Sequence, residues 1–346
     1  MSKVTLAVKY RPDSFDSMVE QTAIKTILQY QIETHSFKHS YLFCGPAGCG
    51  KTTAARIFAN DINNGSGNAI EVDAASNNGV EDVREIIDGS KKKPLDGAYK
   101  VYILDEVHQF STGAWNAMLK LLEEPPKTTI FIMCTTDPQK IPATILSRVQ
   151  RYDFSKISTR SIFDRLKYIL DEENDTVEVQ GSFKYEDAAL QYIAKLSEGG
   201  MRDAITMLDK CTSLSNQITA ENAVRALGTV DYATQFELLM RLTTAARPQA
   251  VTIISEVYQS GKDLKQFIKQ FQYFVVDVCK YKMLNSFEYI SIPELPEYAQ
   301  KMEDEDFESV ISVLDWVRKL NSDIKWEPNP KAIIDTAILL YGRGTK

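Results

Sequence analysis

The chain has no Cys-x-x-Cys pair; its five cysteines stand singly at 44, 49, 134, 211 and 279. That spacing excludes a zinc cluster built on close cysteine pairs and points to reduced thiols in a cytoplasmic compartment, not to a disulfide framework. No run of 18 apolar residues occurs, and residues 1–9 lack the apolar stretch of a secretory signal, so neither a membrane span nor a cleaved leader is expected. Positive charge is not in excess. Lys and Arg number 40 against 47 Asp and Glu, a net charge of −7, which argues against a free-standing nucleic-acid binder with a basic face. Any DNA contact has to be local or assembled with partners. Glycine (16) and proline (12) are scarce, about 8% of the chain together, and hydrophobic (44%) and charged (25%) residues are at ordinary globular levels. Collagen-like and disordered chains are thereby excluded, as is a disulfide-held mini-protein: 346 residues suffice for two to three domains.

From about 38 to 154, short apolar runs alternate with helical patterns, the mark of a parallel sheet covered by helices. The strand candidates are Tyr41 to Cys44, Ala69 to Asp73, Val101 to Leu104 and Ile130 to Cys134. After about Lys156 the strand runs end. Ile162, Phe163, Leu166, Ile169 and Leu170 recur at helical spacing, as do Ala204, Met207, Leu208 and Cys211, with Gly199-Gly200 as a break between helices. Further on, Phe267, Ile268, Phe271, Phe274, Val275 and Val278 form a wide apolar stripe of one long helix, and Pro293 and Pro296 interrupt the pattern. Beyond about 229 no chemical motif is found, and a packed bundle with a partner-binding face is expected. There is no internal repeat or low-complexity tract, and Lys91-Lys92-Lys93 reads as solvated surface.

Gly45-Pro46-Ala47-Gly48-Cys49-Gly50-Lys51-Thr52 fits GxxxxGK[ST], follows a strand candidate and opens a helix expected over Thr53 to Asn60. Glycines at that spacing let successive backbone N–H groups converge on a β-phosphate, Lys51 neutralises β and γ oxygens, and the Thr52 hydroxyl is a Mg²⁺ ligand at a helix N-terminus. Val101 to Leu104 runs into Asp105 and Glu106, which puts two carboxylates at the carboxyl edge of the sheet, where nucleotides bind. Asp105 is expected to hold Mg²⁺ through water and Glu106 to polarise the attacking water. His108 reads as a hydrogen-bonded loop histidine. Thr135-Thr136-Asp137 ends the next strand, where a hydroxyl could sense a γ-phosphate, although a Thr pair after a strand is also ordinary turn chemistry.

Together with Lys9-Tyr-Arg-Pro12, Val19-Glu-Gln21, His39-Ser-Tyr-Leu-Phe43, Glu71-Val-Asp-Ala-Ala-Ser-Asn77, Asp105-Glu-Val-His108, Leu122-Glu-Glu-Pro-Pro126, Thr135-Thr-Asp-Pro-Gln-Lys140 and Ser147-Arg148, the phosphate loop gives an order of motifs that resembles the gamma/tau-like subunits of bacterial clamp loaders, which are AAA+ ATPases. The resemblance is dense from about 9 to 154, moderate through Glu198 to Asp203, and only architectural beyond about 229. It implies that Tyr10, Arg11, Pro12 and Val19 line an adenine pocket shared with Thr53 and the phosphate loop. It implies further that Thr136 is the sensor-1 residue, Arg148 an arginine finger acting on a neighbouring subunit's nucleotide, and Arg202 the sensor-2 arginine on the γ-phosphate in cis. Extra guanidinium donors suit the charge of a transferring phosphoryl group.

Three departures limit what is carried over. The four-cysteine zinc module usual in this family has no counterpart in the Asn/Gly loop Asp61 to Asn68, so ATP and Mg²⁺ are expected as ligands and zinc is not. Val149 follows Ser147-Arg148 where the family has cysteine, and the sequence ends after a third domain, without the extension that tethers polymerase or helicase. A compact, divergent loader is expected, in a bacterial cytoplasm or a phage-infected host. The fold expected is an α/β AAA+ domain over 1–156, a helical lid over 157–228 and an all-α collar over 229–346. Expected partners are the other subunits of a pentameric loader, a sliding clamp and primer-template DNA, which helix N-termini and a few basic residues, Arg84 and Lys91 to Lys93, from several subunits would face; no membrane is involved. A different AAA+ remodeller, such as a branch-migration ATPase, and a non-hydrolysing structural subunit of the loader are the rival readings. The Thr135 to Lys140 and Leu122 to Pro126 segments argue against the first, and intact Lys51, Thr52, Asp105 and Glu106 against the second.

Overall fold

The apolar runs of the first half become strands of one parallel sheet because both faces of that sheet are covered, which is what a continuous apolar run requires. In order of sequence these are β1 (Ser40–Cys44), β2 (Ile70–Asp73), β3 (Lys100–Asp105), β4 (Thr129–Thr135) and β5 (Gln150–Asp153), and in the sheet they lie in the order β2-β3-β4-β1-β5. One face carries Tyr41, Phe43, Val101, Ile103, Ile130 and Ile132 against the helices Thr22–Glu33 (α2) and Lys51–Ile62 (α3). The other carries Leu42, Tyr102, Leu104, Phe131 and Met133 against Val80–Ser90 (α4) and Thr112–Glu123 (α5). Helix starts follow local chemistry: Ser111 caps α5 by accepting from Ala114 N–H, and the Asp82 carboxylate accepts from Gly79 N–H at the start of α4.

The computed structural model describes residues 4–66, 68–176, 182–286, 298 and 307–342. The chain divides into two units, Met1–Phe183 with Leu190–Asp209, and Lys184–Ala189 with Lys210–Lys346. The first holds the sheet, its helices, the helix Thr159–Thr176 (α7) and the start of Met201–Leu214 (α9). The second is built on the expected long helix, Leu264–Leu284, whose Phe267, Ile268, Phe271, Phe274, Val275 and Val278 are all buried, with Phe307–Asp323 and Pro330–Leu340 packed in the same core. No described helix is long and apolar enough to cross a membrane.

Some sequence expectations are corrected. The α3 helix is longer than Thr53 to Asn60, starting at Lys51. Strand β5 was not foreseen, because Gln150, Arg151 and Asp153 give an edge strand with a single buried side chain, Tyr152. Strands also do not end at Lys156: Lys184–Tyr185 and Gln217–Ile218 form a short parallel pair in the second unit, too brief to leave a periodic signal. Pro293 and Pro296 lie outside the described residues.

Phe131 sits at the centre of this sheet, fully buried and stacked on Tyr102 with ring centroids 5.4 Å apart. Phe131→Ala should cost about 3–5 kcal/mol of stability, read as a lowered denaturant midpoint in the fluorescence of the buried Trp115 on the same face.

Candidate active site

Between β1 and α3 the loop turns on residues with backbone conformations open to glycine. Gly48 has φ 71°, and a Cβ there would come within 2.9 Å of the Gly200 Cα. The Gly48 carbonyl accepts from Met201 N–H at 3.0 Å, which ties the loop to the start of α9 and brings Arg202 to the site. Helix α3 begins after Gly50 (φ 101°) with no side-chain cap and no acidic residue in its first turn. Its first N–H groups and its positive end are therefore in a position suited to an anion. The Lys51 side chain is buried, and its Nζ donates to the carbonyls of Gly45 and Pro46, each at 2.8 Å.

Strand β3 ends across β4 from β1, so its carboxylates face this loop. The Thr52 hydroxyl donates to Asp105 Oδ2 at 2.8 Å, and Asp105 Oδ1 accepts from Glu106 N–H at 3.0 Å. A hydroxyl and a carboxylate in contact are hard oxygen donors that fit Mg²⁺, which binds to one or two protein oxygens and keeps phosphate and water for the rest. Glu106 is held in the left-handed region (φ 49°, ψ 41°), a conformation that costs about 1–3 kcal/mol for such a residue and concentrates at functional sites. Its Oε2 accepts from the Thr136 hydroxyl at 2.9 Å and lies 3.2 Å from His108 Nδ1. His108 Nδ1 is also 3.2 Å from the Thr135 hydroxyl, as a hydrogen-bonded loop histidine should be.

These groups line a cavity of about 340 Å³. Lys51, Thr52, Thr53, Asp105, Glu106 and Arg202 give the lining its charged and hydroxyl groups, while Ala7, Tyr10, Arg11, Pro12, Met18, Val19 and Ile157 form a slot with mainly apolar walls. Ala47, Gly48, Cys49 and Gly50 form the loop side. Gly45 and Pro46 act on the site through the carbonyls that hold Lys51, and Thr136 through Glu106. Arg148 is elsewhere: its Nε and Nη2 donate to Glu123 Oε1 at 3.1 and 2.7 Å, and its Nη1 to the Thr144 carbonyl at 2.7 Å. Arg84 pairs with Glu81 and Lys91 with Asp88 on the exposed side of α4 and the loop after it.

Sequence reasoning missed Arg56, Glu71, Arg165, Met201 and Ile205, all of which line the cavity. Arg56 was accessible to it, lying four residues after Thr52 on the same face of α3, and it pairs with Glu71 at 2.5 Å. Arg165 carried no signal, since only the packing of α7 beside the loop brings it there.

All five cysteines are buried, Cys49 within the phosphate loop among them. Burial raises the thiols, those of Cys44, Cys211 and Cys279 to about 11, and those of Cys49 and Cys134 above their ordinary range as well. At pH 8 each is a neutral thiol, and only the thiolate reacts. Iodoacetamide should therefore modify less than one thiol per folded chain at pH 8 and all five in denaturant, as counted by mass spectrometry.

The chain resembles known proteins in sequence and in fold. Residues 68–158 match a family model described as the DNA polymerase III delta subunit, and residues 161–217 one described as the ATPase lid domain of a DNA polymerase III clamp loader subunit. The chain is 36% identical to the DNA polymerase III subunit tau of Bacillus subtilis, over 98% of its own length and 63% of the relative's. Against the tau subunit of Escherichia coli the values are 35%, 75% and 43%, and against the gamma/tau subunit of Mycoplasma genitalium 32%, 80% and 49%. The chain thus spans less than two thirds of these relatives. Among solved structures, the RuvB Holliday junction branch migration motor of Thermotoga maritima matches with a TM-score of 0.52 at 20% identity, covering 67% of this chain and 79% of that one, a likeness of fold alone. Over most of its length the chain is similar to tau and gamma/tau subunits of DNA polymerase III, and in the segment that carries Arg202 it is similar to the ATPase lid of a clamp-loader subunit.

Proposed function

We propose that the chain is an ATPase subunit of a sliding-clamp loader, in which ATP binding favours an assembly that opens the clamp at a primer-template junction and hydrolysis releases clamp and DNA. The observation that carries this reading is one cavity lined both by the mainly apolar slot residues and by Lys51, Thr52, Asp105 and Glu106. A purine nucleotide has the same division, an apolar base at one end and a polyphosphate at the other.

In the proposed reaction Tyr10, Arg11, Pro12 and Val19 enclose the base. The N–H groups of Gly48 to Thr53 and the Lys51 ammonium, released from the Gly45 and Pro46 carbonyls, take the β and γ oxygens. Thr52 and Asp105 would hold Mg²⁺, which neutralises charge on the same oxygens when bound. Glu106 orients the attacking water once it leaves Thr136, whose hydroxyl is then free to meet the γ-phosphate, and Arg202 meets that phosphate from α9. Arg148, turned away from its own cavity, acts on a neighbouring subunit's nucleotide. The division into an AAA+ domain over 1–156, a lid over 157–228 and a collar over 229–346 belongs to this proposal. So do the pentameric assembly, the other subunits, the clamp and the DNA as partners. Mg²⁺ is the one metal assigned, and elemental analysis of the purified chain should find no stoichiometric zinc; one tightly held zinc per chain would overturn that assignment.

Lys51→Ala should weaken ATP binding by on the order of 10²-fold, since two or more charge-assisted hydrogen bonds are lost. Glu106→Gln should bind ATP as the natural chain does and slow turnover by 10²-fold or more, roughly the contribution of a positioned base. Equal loss of binding in the two variants, measured by equilibrium titration, would contradict the roles assigned.

Arg148→Ala should bind ATP normally and lose the turnover stimulated by clamp and primed DNA. Mixed with Lys51→Ala chains it should regain part of that turnover, because an intact loop then meets an intact finger at one kind of junction. A mixture that assembles yet stays as inactive as either variant alone rules out action across the interface.

A further inference from the structure

The slot that would take the base is walled partly by the segment Leu6 to Pro12, which has little core of its own: Leu6 is its one fully buried side chain. Polar contacts to α7 hold it instead. Glu173, near the end of α7 and 8% exposed, accepts through Oε1 from the Tyr10 hydroxyl at 2.7 Å and from Lys9 Nζ at 2.5 Å. Arg165, two turns earlier on α7, donates from Nη2 to the Tyr10 carbonyl at 3.1 Å and itself lines the cavity. Burial and the neighbouring Glu173 carboxylate push the Tyr10 hydroxyl pKa up, so Tyr10 remains a donor throughout the physiological range. One side-chain end and one backbone end of the same residue are thus gripped by two residues of one helix.

We infer that Glu173 and Arg165 are positioning residues of the nucleotide site: by pinning Lys9 and Tyr10 to α7 they hold the base slot in shape, and so set affinity for the base end of the ligand without acting on its phosphates. A wall that is free to move must be ordered at the moment of binding, and that cost is subtracted from affinity. A buried carboxylate that accepts from both the Tyr10 hydroxyl and the Lys9 ammonium is a strong fastener, because removing it leaves the Tyr10 hydroxyl without that acceptor in a partly desolvated place. Glu173 and Arg165 lie far along the sequence from Tyr10, and neither belongs to a phosphate-binding motif. The inference rests on the reading of the cavity as an ATP site.

The test separates the two ends of the ligand. ATP, GTP and inorganic tripolyphosphate are titrated against the full chain and the variants Glu173→Ala, Glu173→Gln, Arg165→Ala and Lys51→Ala. Glu173→Ala and Arg165→Ala should raise the Kd for ATP about tenfold and shrink the preference for ATP over GTP, with tripolyphosphate binding changed less than twofold. Glu173→Gln, which keeps an acceptor for the Tyr10 hydroxyl but loses the charge facing Lys9, should fall between. Steady-state kinetics of Glu173→Gln should show the loss in KM, with turnover at saturating ATP reduced less than twofold. Should Glu173→Ala fail to fold, Lys9→Ala removes one arm from the exposed side and should raise the ATP Kd about threefold. ATP affinity unchanged in these variants, or ATP and tripolyphosphate weakened in equal proportion, overturns the inference. Lys51→Ala must lose both ligands; if it binds both as the natural chain does, the nucleotide reading fails, and the slot fails with it.

Discussion

The glycine-rich loop with Lys51, the carboxylates Asp105 and Glu106, and Thr136 depend on one constraint, the adjacency of strand ends in a parallel sheet. Because β4 lies between β1 and β3, the loop that follows β1, the carboxylates that end β3 and the threonines that end β4 open on the same edge. The Thr52 to Asp105 hydrogen bond spans that edge and joins residues 53 positions apart. The sheet can keep them there because both of its faces are dry: Phe43 and Ile132 on one side and Leu104 and Phe131 on the other have no exposed surface to speak of. Parallel strands that are buried on two faces resist sliding, since a one-residue slip would move each side chain into the opposite core.

On that rigid edge the reactive groups are occupied by one another. Lys51 is held by loop carbonyls, Glu106 by Thr136 and His108, and Arg148 by Glu123. Buried or half-buried charges need partners in any state, and in the proposed reaction these partners are the ones that a phosphate, a water or a neighbouring subunit would replace. The strained backbone of Glu106 fits the same picture, because strand β3 and the buried Val107 fix the turn on both sides. The chemistry proposed therefore consists of exchanges of hydrogen-bond partner at fixed positions, which require little motion of the sheet.

The apolar slot is built differently. Its walls come from the segment around Tyr10, from Met18 and Val19, from Ile157 and from Met201 and Ile205 on α9, elements distant in sequence that meet beside the loop. Gly48 and Gly200 approach closely there, and a side chain at Gly48 would press on the Gly200 backbone. That is why the loop and its carboxylates could be read from the order of residues while the slot could be read only through family resemblance, which supplied Tyr10, Arg11, Pro12 and Val19, included Glu71 in a motif without a place in the site, and left out Arg56 and Arg165.

By itself the sequence determined four of the five strands of the sheet and the edge at which phosphate binding is proposed. Glycine at 45, 48 and 50, Lys51-Thr52 and an apolar run ending in Asp105-Glu106 are local patterns, each the outcome of backbone sterics or of burial on two faces, and local patterns are legible in order along the chain. It also determined the long helix Leu264–Leu284, whose apolar stripe repeats at the helical period. Tertiary structure decided the rest. The polar, edge-located β5 and the two-residue strands β6 (Lys184–Tyr185) and β7 (Gln217–Ile218) had too few buried side chains to mark themselves. Which arginine faces the cavity was likewise settled by packing: Arg202 and Arg165 reach it and Arg148 does not, although all three are arginines on or next to a helix. A side chain's type is written in the sequence, but the side chain it meets depends on contacts between segments far apart in the chain, and those exist only once the sheet and its helices have closed on their cores.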